Sequence, residues 1–123
     1  MSVEAALYTR LTSGHTATSA LIGTRCYPLR LPQKPTLPAI VYQRISSSPQ
    51  IGTTDRRGTR FQFSCWASTY AGAKALAAQV RAALENHADT TVRMGRVVNE
   101  IDDFDETVEL QRVILDAFLT INE

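Results

Sequence analysis

The segment 61–87 constrains the fold most, because the spacing of its apolar residues changes from every second position to every third or fourth. The first part, Phe61–Ala67, has one fully apolar face and one mixed face, which predicts a strand. An alanine-rich helix is predicted from about Tyr70 to His87, with Ser68 or Thr69 as its N-cap. The predicted buried stripe of this helix consists of Ala73, Leu76, Ala77, Val80, Ala83, Leu84 and His87.

A second strip of small residues on the same helix would allow close approach either to the sheet or to a neighbouring subunit. It consists of Ala71, Ala75, Ala78 and Ala82. Of the two interpretations, ordinary packing in the core is favoured.

Shorter patterns predict the remaining elements. An N-terminal helix begins after Ser2 and ends before Gly14, and a second helical turn covers Thr18 to Ile22. Strands are predicted at 25–31, at 40–45, at 91–101 with Gly95 as a bulge, and at 107–121. The prolines at positions 28, 32, 35 and 38 keep the segment after the first strand extended and at the sheet edge, and the acidic residues 102–106 are predicted to form a turn.

These elements predict an α+β fold. We expect a mostly antiparallel sheet of four or five strands, with the N-terminal helix and the long alanine-rich helix packed on one face. A length of 123 residues fits one domain, 1–123, with an extended hairpin at about 46–60.

Composition excludes several classes of protein. Hydrophobic residues make up 44% and charged residues 20%, which is the range of globular domains rather than of disordered chains. A net charge of +1 argues against a dedicated nucleic-acid binder, although Arg outnumbers Lys by eleven to two among the 13 cationic residues. The first residues lack the features of a signal peptide, and no apolar run approaches the length of a membrane span. We therefore expect synthesis in a reducing cytoplasm and no membrane contact.

Residues that could catalyse a reaction or bind a metal are scattered along the sequence. Cys26 and Cys65 have no metal-ligand spacing, so buried free thiols are favoured over a disulfide. His15 and His87 are isolated, and the acidic residues 102–106 lack the pattern of a calcium loop. No nucleophile elbow or phosphate-binding glycine loop is present in the sequence. We therefore predict no catalytic residue, no metal and no cofactor.

The segment from Ser46 to Thr59 is rich in Ser, Thr, Gly and Arg, and is either a long mobile hairpin tip or a functional arm. Arg56, Arg57 and Arg60 cluster at its foot. Their guanidinium groups would either touch a partner protein or passing DNA, or keep a solvated loop soluble. Trp66 would either cover the sheet edge under Tyr70 or anchor a subunit contact.

The order of short motifs along nearly the whole chain, about residues 3–121, resembles the tail-completion (tail-terminator) proteins of long-tailed bacteriophages. No single motif is specific, and the similarity rests on the ordered set. The motifs are Gly23-Thr-Arg25-Cys-Tyr27-Pro28, Leu37-Pro38, Tyr42-Gln43, Trp66-Ala67, Ala73-Lys-Ala-Leu76-Ala77 and Val80-Arg-Ala-Ala83-Leu84.

The resemblance implies a structural virion protein and no enzyme. Such a protein forms a ring, expected to be a hexamer, at the head-proximal end of the tail tube. It ends tube polymerisation and joins the tail to the head connector or stopper protein, while DNA passes through the channel without specific binding. The implied location is the tail or neck of the virion, assembled in the cytoplasm of a bacterial host. The implied contact arm consists of Thr53, Thr54, Asp55, Arg56, Arg57 and Arg60, with Trp66 and Tyr70 as interface anchors.

Two other hypotheses stay open from the residues alone. One is a small dimeric ligand-binding or enzymatic α+β domain, which should bring His, Asp, Glu or Cys side chains together in a pocket. The other is a nucleic-acid-binding module, for which Tyr42, Arg44 and Trp66 would supply the basic and aromatic sheet face.

Overall fold

A computed structural model describes residues 3–14, 16–33, 36–49, 56–85, 92–107 and 109–122. Two short helices come first: α1 (Val3–Thr9), which continues as a π-helical turn (Arg10–Gly14), and α2 (Thr16–Ile22). The long helix α3 spans Tyr70–Leu84. The strands are β1 (Cys26–Pro28), β2 (Ala39–Pro49), β3 (Arg56–Ala67), β4 (Val92–Asp105) and β5 (Leu110–Asn122).

The five strands form one sheet in the order β1-β2-β3-β5-β4. The pairs β2–β3, β3–β5 and β5–β4 are antiparallel, whereas β1 is parallel to β2. The α+β class is confirmed, but the prediction of a mostly antiparallel sheet is wrong, since the sheet is mixed. The physical reason is the connection 29–38, which is long enough to carry the chain back to the end of the sheet where β1 began. A tight turn at this point would have given an antiparallel pair.

The hydrophobic core lies between the helices and one face of the sheet, here called the helix face. Phe61, Phe63 and Cys65 of β3 point into it and are fully buried. Their cross-strand partners on β5 are Ala117, Leu115 and Val113. Leu7 and Leu11 near the N-terminus, Ile22 of α2 and the buried stripe of α3 complete the same cluster, the α3 residues being Ala73, Leu76, Ala77, Val80, Ala83 and Leu84.

The helix α3 begins where the sequence predicts and ends earlier. Thr69 is its N-cap, with extended backbone angles and a side-chain oxygen that accepts a hydrogen bond from the Gly72 backbone N–H. Glu85 is its C-cap, and His87 lies outside the described residues. The second strip, Ala71, Ala75, Ala78 and Ala82, is exposed. The interpretation of that strip as core packing is therefore wrong, because the sheet covers only the opposite side of the helix.

The strand β4 is longer than predicted and includes the acidic segment. Asp102 and Asp103 pair in register with Val113 and Arg112 of β5, so the predicted turn at 102–106 is wrong for its first four residues. The final strand begins correspondingly later, at Leu110 instead of Thr107. Basic partners on α3 and β5 compensate for the low strand propensity of Asp at these positions.

Gly95 is not itself a bulge, because it pairs with Leu119. The register of β4 shifts on either side of it, between Val92 and Met94 and between Val97 and Asn99. A Cβ at Gly95 would lie 2.4 Å from the Leu84 carbonyl oxygen. Gly95 thus marks a place where the last turn of α3 comes close to the β4 backbone.

Candidate contact surface

The face of the sheet opposite the helices, here called the open face, carries side chains from all four long strands. Alternation along each strand places these residues opposite the core positions. Strand register arranges them in rows across the sheet, so that each row takes one residue from each strand it crosses.

Of the four rows described, the first lies toward the hairpin and combines two arginines with an aromatic ring. Phe118 pairs in register with Arg60 on one side and with Arg96 on the other. Arg96 is exposed, and Phe118 is 45% exposed. The Phe118 ring lies over Gly58, where a Cβ would come within 2.8 Å of the ring carbon Cζ. Gly58 therefore leaves room for a half-exposed aromatic residue on the open face.

The second row is polar across the whole sheet and consists of Gln43, Gln62, Asp116 and Asn99. Asp116 is buried at its centre, with a relative exposure of 4%. The Arg60 guanidinium donates to Asp116 Oδ2 at 2.9 Å, and the Arg60 side chain is 48% exposed. This ion pair satisfies one oxygen of the buried carboxylate and fixes Arg60 against the sheet.

The third and fourth rows place apolar side chains next to a stacked guanidinium. Ile114 pairs with Ile101, which is 45% exposed. In the next row the Arg112 guanidinium lies 4.9 Å from the ring centre of Trp66, a cation–π contact, and also pairs with the Asp103 carboxylate. The same Arg112 guanidinium, by its hydrogen bonds, lowers the pKa of Asp103. Arg112 thus joins Trp66 to the acidic part of β4.

A pocket of about 250 Å³ lies on this part of the open face, between the sheet and the segment after β1. It is lined by Leu29, Arg30, Leu31, Val41, Gln43, Gln62, Ser64, Trp66, Asp105 and Arg112. Leu29 has a left-handed backbone (φ 66) and is 70% exposed. Amide, hydroxyl and guanidinium groups thus dominate the polar lining, and only Asp105 adds a carboxylate.

A ladder of charges ties α3 to the helix face of β4. Lys74 donates to Glu100 at 2.8 Å and to Asp102 at 3.2 Å, and the Tyr70 hydroxyl donates to Asp102 at 2.7 Å. Arg81 adds a contact of 3.3 Å to Glu100. The hydrogen bond from Lys74 lowers the pKa of Glu100, and the Tyr70 hydroxyl followed by Lys74 lowers the pKa of Asp102.

The structure separates the predicted contact residues. Arg56 and Arg57 lie within β3, opposite Asn122 and Ile121 of β5, so the foot of the hairpin belongs to the sheet. Thr53, Thr54 and Asp55 lie outside the described residues. Arg60 is on the open face and paired with Asp116 as described above.

Trp66 and Tyr70 lie on opposite sides of the sheet. Trp66 is 8% exposed and lies on the open face against Arg112, so it does not lie under Tyr70. Tyr70 is 50% exposed and contacts Asp102 on the helix face.

The basic and aromatic face suggested by Tyr42, Arg44 and Trp66 is not formed. Arg44 points to the helix face, where it pairs with Glu4 of α1 at 2.9 Å and lies over the Phe61 ring. Tyr42 packs against the core from the same side, whereas Trp66 is on the open face. Of the first row, Arg60 was among the contact residues that the sequence suggested, whereas Arg96 and Phe118 were not. Alternation in β5 was the available signal for Phe118, since it is the apolar residue out of phase with Ala117 and Leu119.

Neither cysteine belongs to the contact surface. Cys26 and Cys65 are free thiols and buried, as the sequence favoured. Burial raises the pKa of the Cys26 thiol to about 12 and raises that of Cys65 as well. Among the described residues, no three His, Cys, Asp or Glu side chains are grouped to hold a metal ion, and no helix there is long and apolar enough to cross a membrane.

The fold and surface define a class of small α+β domains in which helices cover one face of a mixed five-stranded sheet and leave the other uncovered. Residues 5–119 match the family described as tail completion protein gp17. The chain belongs to this family, which makes it a phage tail-completion protein, a structural tail protein. The resemblance inferred from the motif order is thereby confirmed.

Comparison with solved structures agrees with the fold. The chain is similar to a chain in the virion of a native gene transfer agent particle, with a TM-score of 0.70 and 21% sequence identity. The similarity covers 99% of this chain and 96% of that one. No curated protein sequence matches this chain.

Proposed function

We propose that this protein forms a ring, a hexamer, at the head-proximal end of a phage tail tube, where it ends tube polymerisation and joins the tail to the head connector. The observation that carries the proposal is the family match over residues 5–119. Fold similarity to a chain of a phage-like virion supports a place in the tail or neck of a particle assembled in a bacterial host.

The surface of the described chain is consistent with such a ring. A closed ring of identical subunits needs two different complementary patches on each copy, because every contact is heterologous. The open face offers half-exposed apolar residues, Ile101 and Phe118, beside charged side chains. We propose that the hairpin arm, Thr53, Thr54, Asp55, Arg56, Arg57 and Arg60, contributes to one of these patches. Tyr70 is the more accessible of the two proposed anchors, since Trp66 is buried beneath Arg112.

The test is a tube-length assay with the tail tube protein of the same particle. Tube protein polymerises alone or with increasing amounts of this chain, and electron microscopy measures tube length and end structure. We expect shorter tubes that carry a ring at one end, and connector protein bound only to ringed ends. Tubes of unchanged length with bare ends, at a saturating amount of folded chain, would refute the proposed function.

The assay needs a control that keeps the fold and the open face. Ala20→Ser changes one exposed residue of α2, which packs on the other side of the sheet from the open face, and should cap tubes as the wild type does. A loss of capping in this variant would indicate that the helices, rather than the open face of the sheet, contact the tube.

A further inference from the structure

Charge is distributed unevenly along the strands of the sheet. Five arginines lie in the strands at the hairpin end, here called the basic end, and they are Arg56, Arg57, Arg60, Arg93 and Arg96. Two carboxylates of the described residues lie close to them. Asp116 is paired with Arg60, and Glu85 accepts a hydrogen bond from the Val97 backbone N–H. Among the residues that the structure describes, the basic end therefore carries more arginines than carboxylates.

The opposite end of the sheet carries the complementary charge. Five carboxylates surround the connection from β4 to β5, here called the acidic end, and they are Asp102, Asp103, Asp105, Glu106 and Glu109. Lys74 and Arg112 pair with the first two of them. The other three form no ion pair with any residue in the described ranges, and Glu106 and Glu109 are exposed. Arg30 shares the pocket with Asp105 and offsets part of this charge.

These two ends are too far apart to neutralise each other within one chain. The β3–β5 pairing runs from Arg56 opposite Asn122 to Ala67 opposite Gln111. At a rise of about 3.3 Å per residue, this pairing is roughly 35 Å long, and the row of Arg96 lies about 26 Å from the row of Asp105. The Debye length at physiological salt is only about 8 Å, so salt screens the attraction between the two ends of one chain. Each end is therefore free to attract a group of opposite charge on another molecule.

We propose that copies of this chain join head to tail, with the basic end of one copy bound to the acidic end of the next. This contact rests on the proposed ring and names its subunit interface. A second copy satisfies both ends at once, whereas a nucleic acid would be drawn to one end and repelled by the other. Half-exposed Phe118 lies within the basic end and adds apolar area there. Since the two patches differ, the contact is heterologous and suits a closed ring.

Charge reversal tests this contact through the self-association constant, measured by sedimentation equilibrium at low salt. The basic-end variant combines Arg57→Glu with Arg96→Glu, and the acidic-end variant combines Glu106→Arg with Glu109→Arg. Each variant should weaken self-association at least about tenfold, since it sets like charges against each other. The chain with all four changes should recover to within about threefold of the wild type, because every contact is again complementary.

A cross-linking experiment tests the same contact if the charge-reversal variants fail to fold. Arg96→Cys on one chain and Glu106→Cys on another place single exposed thiols at the two ends, and the native thiols are buried and slow to react. A mixture of the two chains should give a cross-linked heterodimer, while either chain mixed with Ala20→Cys should not.

Three results would overturn the proposal. One is a folded wild-type chain that stays monomeric at all concentrations and gives no cross-link between positions 96 and 106. Another is self-association that is indifferent to both reversals. A third is tight binding of duplex DNA that depends on Arg57 and Arg96 while copies do not associate. A chain that caps tubes without this contact refutes only the interface, and one that associates by it without capping tubes refutes only the proposed function.

Discussion

The close approach of α3 to β4 predicts that Gly95→Ala destabilises this protein strongly. The added Cβ would lie 2.4 Å from the Leu84 carbonyl oxygen and 3.2 Å from Leu119 Cδ2. A backbone carbonyl cannot turn aside as a side chain can, so the last turn of α3 must move away from the sheet. Overpacking of this kind costs about 1–3 kcal/mol, and we expect a value near the upper limit.

Gly58→Ala is the matched control, because its Cβ would come as close as 2.8 Å to the end of the Phe118 ring. Phe118 is 45% exposed, so its ring can swing toward solvent. We expect a loss below about 1 kcal/mol for this variant.

Urea denaturation followed by circular dichroism measures both free energies of unfolding. For a chain of 123 residues, a loss of 2–3 kcal/mol corresponds to roughly 10 °C in the midpoint of thermal unfolding. A Gly95→Ala variant within about 0.5 kcal/mol of the wild type, or equal to Gly58→Ala, would refute the packing argument.

Three further predictions concern the cap, the charge ladder and the thiols. Thr69→Ala should lower the free energy of unfolding by about 1 kcal/mol, since the Gly72 N–H loses its acceptor, whereas Thr69→Ser should keep it. Equal stabilities of the Ala and Ser variants in urea denaturation would contradict this. Lys74 lowers the pKa of Glu100 below its ordinary 4.5, so this pair favours the folded state above that pH and loses its effect as acid protonates the carboxylate. Lys74→Met should therefore flatten the decline of stability between about pH 5 and pH 3, and an unchanged pH profile would show that the pair is not coupled to folding. Cys65 should react with a thiol reagent only after denaturation, because it is fully buried, and rapid labelling of the native protein would disprove its placement.

The elements with a clear period were predictable from sequence, and the contacts that join distant segments were not. The alternation of Phe61, Phe63 and Cys65 identified the core face of β3, and the spacing in α3 identified its buried stripe. Sequence reasoning placed Asp102 in a turn because Asp is rare in strands. What keeps it in β4 is a set of partners on α3, Lys74 among them, and no local pattern reports such partners.

The same limit applies to the sheet and to the contact surface. Three residues of β1 pair parallel to β2, and so short a pairing across a proline-rich connection leaves no periodic signal. The sequence alone groups the arginines at the foot of the hairpin, because they lie close together in the chain. Their association with Arg96 and Phe118 depends on the β3–β5–β4 register, which brings together residues far apart in the chain.

The two register shifts in β4 have a consequence for how copies of this chain assemble and separate. A strand from another chain pairs best along a regular edge, and the shifts between Val92 and Met94 and between Val97 and Asn99 interrupt the outer edge of this sheet. At this edge, contacts between copies would then rely on side chains instead of a continued backbone ladder. In the proposed ring, contacts of this kind would let a wrongly placed subunit dissociate before the ring closes. Irregularity in the edge strand would thus give the proposed ring a means of correcting errors in its assembly.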